Sequence, residues 1–297
     1  MIFSLSECII WVSLFTAEFI AIVTVNLLSI ILFIKNRSLR TRSMHLVISL
    51  TVADMLVGAL SGGVSRLLGI LQDCRVVKFN LAHWENDILY LVLLLFFPLV
   101  SLTNIAVISL ERFHATFRPF RHRLIKRWVY VVAIAVVWIF PAVIRVVGML
   151  YETRYMYNHL YLLESYCCLC LLVTFVSYTS IFFKSRFGAH PQRHCAAALR
   201  QRKLTVTLFI TTLVSLLLWL PYNISVFLES THAIILDSLS FSEYFRLNYS
   251  LIFCFFANSL VNPILYTIRM PDVLKKVLLS LFRRHQRENA AIPLNRY

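Results

Sequence analysis

Seven apolar runs separated by short polar stretches set the pattern of this chain. They cover approximately 9–34, 44–70, 88–111, 129–151, 160–183, 204–228 and 247–268. A helix needs about 20 apolar residues to cross a hydrocarbon core of ~30 Å, and every run reaches that length. In lipid only helices and closed barrels satisfy their own backbone, and the ~10-residue alternation of barrel strands is missing. The pattern predicts an all-α membrane protein, a seven-transmembrane helix bundle. After the last run, PDVLKKVLLSLFRR (271–284) spaces Val273, Leu274, Val277, Leu278, Leu281 and Phe282 helically, with Lys275, Lys276, Arg283 and Arg284 between or after them. Pro271 suits a first turn, so this segment reads as a short amphipathic interfacial helix after the last span.

Composition supports a lipid solvent. The 297 residues are 59% hydrophobic and 14% charged, with a mean hydropathy of +0.75. A soluble domain keeps roughly a quarter of its residues charged. The first run is not read as a signal peptide: it lacks a basic start, outlasts an h-region and shows no obvious small-residue cleavage site. Most of the 29 Lys and Arg fall in 35–43, 112–127, 184–203 and 269–297. By the positive-inside rule these segments are cytoplasmic, which places the N-terminus outside and the C-terminus inside. The expected organisation is one domain over 1–284, including the interfacial helix, and a short cytoplasmic tail over 285–297. The +15 net charge then reflects topology and attraction to anionic membrane lipids, and no nucleic-acid partner is expected. No internal repeat supports a transporter of inverted halves.

Charge inside the runs is costly and usually functional. Glu18, Asp54, Arg66, Glu111, Arg112 and Arg145 carry it, joined by Asn26, Asn104, Ser101, Asn223, Asn258, Ser259 and Asn262. Pro98, Pro141, Pro221 and Pro263 break four spans, and each frees a carbonyl that needs another partner. Cys167, Cys168, Cys170 and Cys254 read as small buried residues, and Cys195 lies in a cytoplasmic loop. Cys8 and Cys74 share the outer face, where the sequence leaves a bridge between them open.

The residues match a family. Asn26 lies in the first span and LTVAD ends at Asp54 in the second; ERF (111–113) closes the third, followed by HATFRPFRHR. Trp138 stands in the fourth, Tyr178 near the inner end of the fifth, LWLP (218–221) in the sixth and NSLVNPILY (258–266) in the seventh. Order, span and orientation together resemble the rhodopsin-like (class A) G-protein-coupled receptors over nearly the whole chain. That resemblance implies a plasma-membrane receptor, not an enzyme, coupled to a heterotrimeric G protein. Glu111 would hold Arg112 at rest, and Arg112 would meet the G protein when the sixth helix swings out. Tyr178 and Tyr266 would move inward, Trp219 would floor the pocket with Pro221 kinking its helix, and Asn262 and Pro263 would belong to the same activation machinery. Asp54, Ser101, Asn258, Ser259 and Asn262 resemble the family's sodium pocket, although Phe97 offers no polar group there. No other cofactor is implied.

Departures narrow the ligand. Asp87 stands where most relatives carry a bridging cysteine, and the second outer loop (152–160) has none, so the usual disulfide is expected to be absent. Cys170 replaces a usual proline and Ser215 a usual phenylalanine; melanocortin-like receptors share the first two of these departures. Leu94 replaces the amine-binding aspartate, and Phe256 replaces the retinal-linking lysine, so no retinal is expected. The expected pocket wall is apolar: Leu91, Leu94, Leu95, Pro98, Val226, Ile252, Phe255 and Phe256, with Tyr222 and Asn223 as its nearest polar groups. The expected ligand is a small molecule, lipid or peptide; Arg66 and Arg145 are placed either to pair an acidic end or to snorkel to the outer headgroups. A seven-helix transporter would need a polar path through this outer half, and an intramembrane enzyme would need paired aspartates or a histidine cluster. The tail after Ser280 has no Ser or Thr, which predicts weak arrestin engagement. Gln201 stands where many relatives latch the Arg112 counterpart with an acid, which predicts basal signalling.

Overall fold

A computed structural model describes residues 4–35, 44–76, 88–152, 158–187, 196–230 and 240–269. The expected interfacial helix (271–284), the tail, Asp87, residues 36–43 and 188–195 of the first and third inner loops and 153–157 of the second outer loop lie outside the described residues, as do the side chains of Leu91, Gln201 and Tyr266.

The helices are α1 (Leu5–Lys35), α2 (Met44–Leu56), α3 (Leu67–Asp73), α4 (Ile88–Phe117), α5 (Pro119–Arg123), α6 (Arg127–Glu152), α7 (Asn158–Phe187), α8 (Ala196–Ser230) and α9 (Phe241–Arg269). A π-helical stretch, Val57–Arg66, joins α2 to α3, so 44–73 forms one rod. The rods α1, α2–α3, α4, α6, α7, α8 and α9 fall on the seven apolar runs. On length and composition, five of them can cross a membrane: α1, α2–α3, and the apolar parts of α4, α6 and α7. Among the described residues α8 adds the apolar segment Leu213–Glu229.

Sequential rods pack side by side, and α9 returns to α1 and closes the ring. Helix α4 takes the centre, against α2, the π-helical stretch, α6 and α7. The burial pattern is that of a lipid-facing bundle. Helix α1 turns Phe15, Glu18, Phe19, Ile22, Asn26, Ser29 and Phe33 inward at helical spacing, while Ile9, Ile10, Ile20, Leu27 and Ile34 stay exposed. On α6 the exposed residues include Val131, Val132, Val136, Ile139, Val143 and Val146. An exterior this apolar would be untenable in water.

The first contact in the ring is unusually close. A Cβ on Gly58 would sit 2.7 Å from Ile22 Cγ2, and one on Gly62 would overlap the Phe19 ring. Only glycine lets the π-helical stretch approach α1 this far. Beyond α3 the chain ends in a Schellman-type turn: Val76 N–H donates to Leu71 O (3.0 Å), with Arg75 at φ 54 in the left-handed position. This turn presents Cys74, which is bridged to Cys8 at the start of α1. The bridge left open by the sequence is formed. Cys167 and Cys170 are buried as expected, whereas Cys168 and Cys254 are exposed on the lipid side of their helices.

Candidate functional site

The predicted site residues divide into three levels. At the middle level, the fully buried Asp54 on α2 is bracketed from two other helices. Ser101 Oγ of α4 donates to Oδ1 at 2.5 Å, Ser259 Oγ of α9 donates to the same oxygen at 3.0 Å, and Asn262 Nδ2 donates to Oδ2 at 2.9 Å. Asn26 Nδ2 extends the network, donating to Ser259 O at 3.1 Å and so tying α1 to α9. Asn258 stands beside Ser259 on α9, and its Oδ1 is buried with no hydrogen-bond partner among the described residues. One carboxylate, two hydroxyl oxygens with lone pairs to spare and an orphaned amide oxygen form a hard, oxygen-rich set of the kind that suits a small cation. Phe97 is buried and adds no donor to it.

At the inner end, Glu111 is held by three groups from three helices. Arg112 Nε lies 3.2 Å from Oε2, while His122 Nε2 (α5) and Tyr130 Oη (α6) lie 3.2 Å and 3.4 Å from Oε1. Pro119 starts α5 at its first turn, which aims His122 back at α4. Sequence reasoning paired Glu111 with Arg112 and missed His122 and Tyr130. Lys184 of α7 donates to Thr116 O (2.8 Å) and lies over the Phe117 ring, so the fifth rod is fastened to the same end of α4. Tyr178 is buried on α7.

At the outer level, Trp219 is buried and packs on Phe255 (centroids 4.6 Å), which also meets Tyr222 (4.8 Å) and Phe256 (5.3 Å). Leu94 and Leu95 are half-buried beside the buried Pro98, and Ile252 is buried on α9. Asn223, expected to face the ligand, donates its amide to Trp219 O within its own helix (2.7 Å). Breaking the ladder at Pro221 leaves carbonyls short of donors nearby, and this side chain supplies one.

Charged side chains stand in the outer half beside the apolar residues. Glu18, Arg145 and Glu164 are all buried there, and Arg66 sets its guanidinium over the Tyr249 ring, 4.8 Å from the centroid. Glu164 on α7 was not singled out from the sequence, because it stands within a turn or so of the predicted span start at 160.

The comparisons with known proteins agree with this geometry. The family described as 7 transmembrane receptor (rhodopsin family) matches residues 25–266. Melanocortin receptor 5 of Rattus norvegicus is 22% identical over 264 residues, covering 84% of this chain and 77% of its own. Melanocortin receptor 5 of Bos taurus is 25% identical over 266 residues, with the same coverage. Pineal opsin of Petromyzon marinus is 24% identical over 243 residues, covering 72% of this chain and 52% of its own. The chain belongs to the rhodopsin family of seven-transmembrane receptors and is a G-protein-coupled receptor of the membrane.

Proposed function

We propose that a ligand entering from the outer face shifts this bundle between two packings, and that the inner face then activates a heterotrimeric G protein. The observation that carries this reading is the hold on Glu111. An arginine whose carboxylate is shared among three helices is released when those helices part, and it is then free to meet a partner from the cytoplasm. Trp219, Pro221 and Tyr222 on α8 are the lever, since a proline-broken helix bends where its ladder is interrupted. Tyr178, Tyr266, Asn262 and Pro263 take part on the inner side. The N-terminus is extracellular and the C-terminus cytoplasmic, at the plasma membrane, and the basic inner loops face anionic lipid and the G protein. The protein has no catalytic step of its own.

Asp54, with Ser101, Asn258, Ser259 and Asn262, would hold a sodium ion that favours the resting packing. The cation would balance the charge of a carboxylate held in a dry interior.

Purified receptor in lipid vesicles tests the main reading. Nucleotide exchange on added G proteins, lost in Arg112→Ala, is the expected result. Ion or solute flux through the vesicles without any exchange would replace the receptor role with a transport role.

A further inference from the structure

We propose that the inner end of the bundle carries a transition-metal site, with His114 of α4 and His122 of α5 as its protein ligands and zinc as the ion it fits. Bound there, the ion ties α5 to α4 in the packing that keeps Glu111 held. Only this effect on signalling rests on the coupling reading above; the site itself does not.

His114 Nδ1 and His122 Nδ1 lie 3.5 Å apart, while the ring centroids are 5.7 Å apart, so the two Nδ1 edges face each other. That spacing is beyond the usual range for a hydrogen bond, whose nitrogen donors stand ~2.7–3.2 Å from the acceptor. As a pair of metal ligands it fits well. Two nitrogens 3.5 Å apart, each ~2.05 Å from one ion, subtend about 115° at it, close to the tetrahedral angle that zinc takes. Neighbouring ligands of an octahedral ion with the same bond length would stand about 2.9 Å apart. Imidazole nitrogen also favours zinc-like ions over magnesium and calcium, which take oxygen.

A metal-binding histidine keeps its other ring nitrogen on a carboxylate or carbonyl, which fixes the tautomer and aims the free lone pair at the ion. His122 does this: its Nε2 lies 3.2 Å from Glu111 Oε1. A neutral His122 that donates from Nε2 has its bare lone pair on Nδ1, the atom that faces His114. Glu111 also places negative charge next to the ion. The basic residues nearby are otherwise occupied or solvated: Arg112 is on Glu111, Lys184 is fastened to Thr116 O, and Arg118, Arg121 and Arg123 are exposed, where solvent screens them. Both histidines are half-buried, so an ion from solution can reach them. Among the described residues no set of three His, Cys, Asp or Glu side chains converges on one metal position, so water completes the four ligands.

The test uses the full-length chain in nanodiscs of zwitterionic lipid, with accessible thiols alkylated beforehand so that cysteine cannot hold the metal. Zn2+ should raise the melting temperature saturably, and Mg2+ or Ca2+ at equal concentration should not. Co2+, a coloured stand-in for zinc, should give the strong visible absorption of a tetrahedral ion. His114→Phe and His122→Phe should each raise the half-saturating Zn2+ concentration at least about tenfold. No saturable response to Zn2+ up to about 1 mM, an equal response to Mg2+, or variants that bind as the unmutated chain does would each overturn the site. Should a variant give no melting transition, the Co2+ spectrum of the unmutated chain decides, and the weak absorption of an octahedral ion overturns the site. Saturating Zn2+ should also lower agonist-free nucleotide exchange at least about twofold in the unmutated chain, and should not do so in His114→Phe. Exchange that ignores Zn2+ in both sinks the tether alone, and Zn2+ binding by a chain that never supports exchange sinks the coupling reading alone.

Discussion

Two regions of this bundle treat buried charge in opposite ways. From the middle level inward, each carboxylate is surrounded: Asp54 has three donors, and Glu111 has Arg112, His122 and Tyr130. In the outer half Glu18, with both carboxyl oxygens buried, has no hydrogen-bond partner among the described residues. The outer half is instead fastened at its rim, by the Cys8–Cys74 bridge, the Glu7–Arg246 ion pair at 2.7 Å and the tyrosine–acid contacts of Tyr249 and Tyr244. The difference separates polar groups that hold the fold from polar groups left for something else to meet. Breaking a satisfied network should cost stability, whereas removing an unsatisfied group should cost none or add some.

The sharpest break is at Asp54. Asp54→Leu leaves Ser101, Ser259 and Asn262 without their acceptor, at 1–3 kcal/mol for each buried group left bare, so a loss on the order of 3 kcal/mol or more is expected in detergent melting. Asp54→Asn keeps most of the hydrogen bonding and isolates the ion. Melting of the unmutated receptor should rise in sodium chloride relative to choline chloride at equal ionic strength, agonist affinity should fall, and the variant should show neither effect. A receptor indifferent to sodium in both measurements would end the sodium assignment and leave the network argument intact.

The rim comes next. Cys8→Ser with Cys74→Ser removes a cross-link between positions 66 residues apart. Chain-entropy arguments give typically 2–4 kcal/mol for a disulfide, and spans that stay helical in lipid lower the entropy at stake. A loss of roughly 2 kcal/mol is expected, read as a lower melting temperature matched by dithiothreitol treatment of the unmutated chain. Equal melting with and without the bridge would mean that the exposed Glu7–Arg246 pair and the packing of Trp11 on Tyr249 suffice.

Glu18 reverses the sign. Its neighbours on the buried face are Phe15, Phe19 and Ile22, so Glu18→Met replaces an unmet carboxyl with a side chain that fits an apolar surround. Stability should rise by about 1–2 kcal/mol. A fall instead would show that the carboxyl has a partner in the native membrane, and would place Glu18 with Asp54.

The sequence made the scaffold legible because lipid demands long apolar helices, and each run leaves that mark. Asp54, Ser101, Ser259 and Asn262, which the family resemblance grouped, meet at one depth in hydrogen bonds across three helices. Other features were written in the sequence but not used. Ser4-Leu-Ser-Glu7 and Ser240-Phe-Ser-Glu243 are capping boxes, and in both the serine and glutamate bond reciprocally at the helix start. They would have placed the starts of α1 and α9 several residues earlier. The inward series Cys167, Cys170, Leu171, Thr174 on α7 leaves Cys168 facing lipid by helical period alone. What sequence could not give is register across space. The π-helical stretch rotates everything after Val57, and so decides that Arg66 meets Tyr249; three glycines announce a close approach but not the widened turn. His122 as a partner of Glu111 likewise depends on how one short loop helix folds back.

The smallest expected effect lies at that inner hold. Arg112 is a third exposed at its side chain while Glu111 is nearly enclosed, so the pair belongs with partly solvated ion pairs worth ~0–1 kcal/mol. His122 and Tyr130 add weaker contacts from α5 and α6 to the same carboxylate. Each contact favours the packing in which α4, α5 and α6 stay together, so removing one shifts the resting equilibrium by a small factor rather than abolishing it. His122→Phe should raise agonist-free nucleotide exchange about two- to fivefold at matched surface expression, and Tyr130→Phe should raise it less because its hydrogen bond to Glu111 is long, at 3.4 Å. An acid introduced on α8 should act in the opposite direction: Gln201→Glu supplies Arg112 with the ionic partner that this chain lacks at the position where many relatives carry one, and basal exchange should fall. If His122→Phe and Gln201→Glu both match the unmutated receptor, the resting state is set by helix packing alone and Glu111 is a spectator; if they move exchange in opposite directions, the carboxylate is the hinge on which the inner end turns.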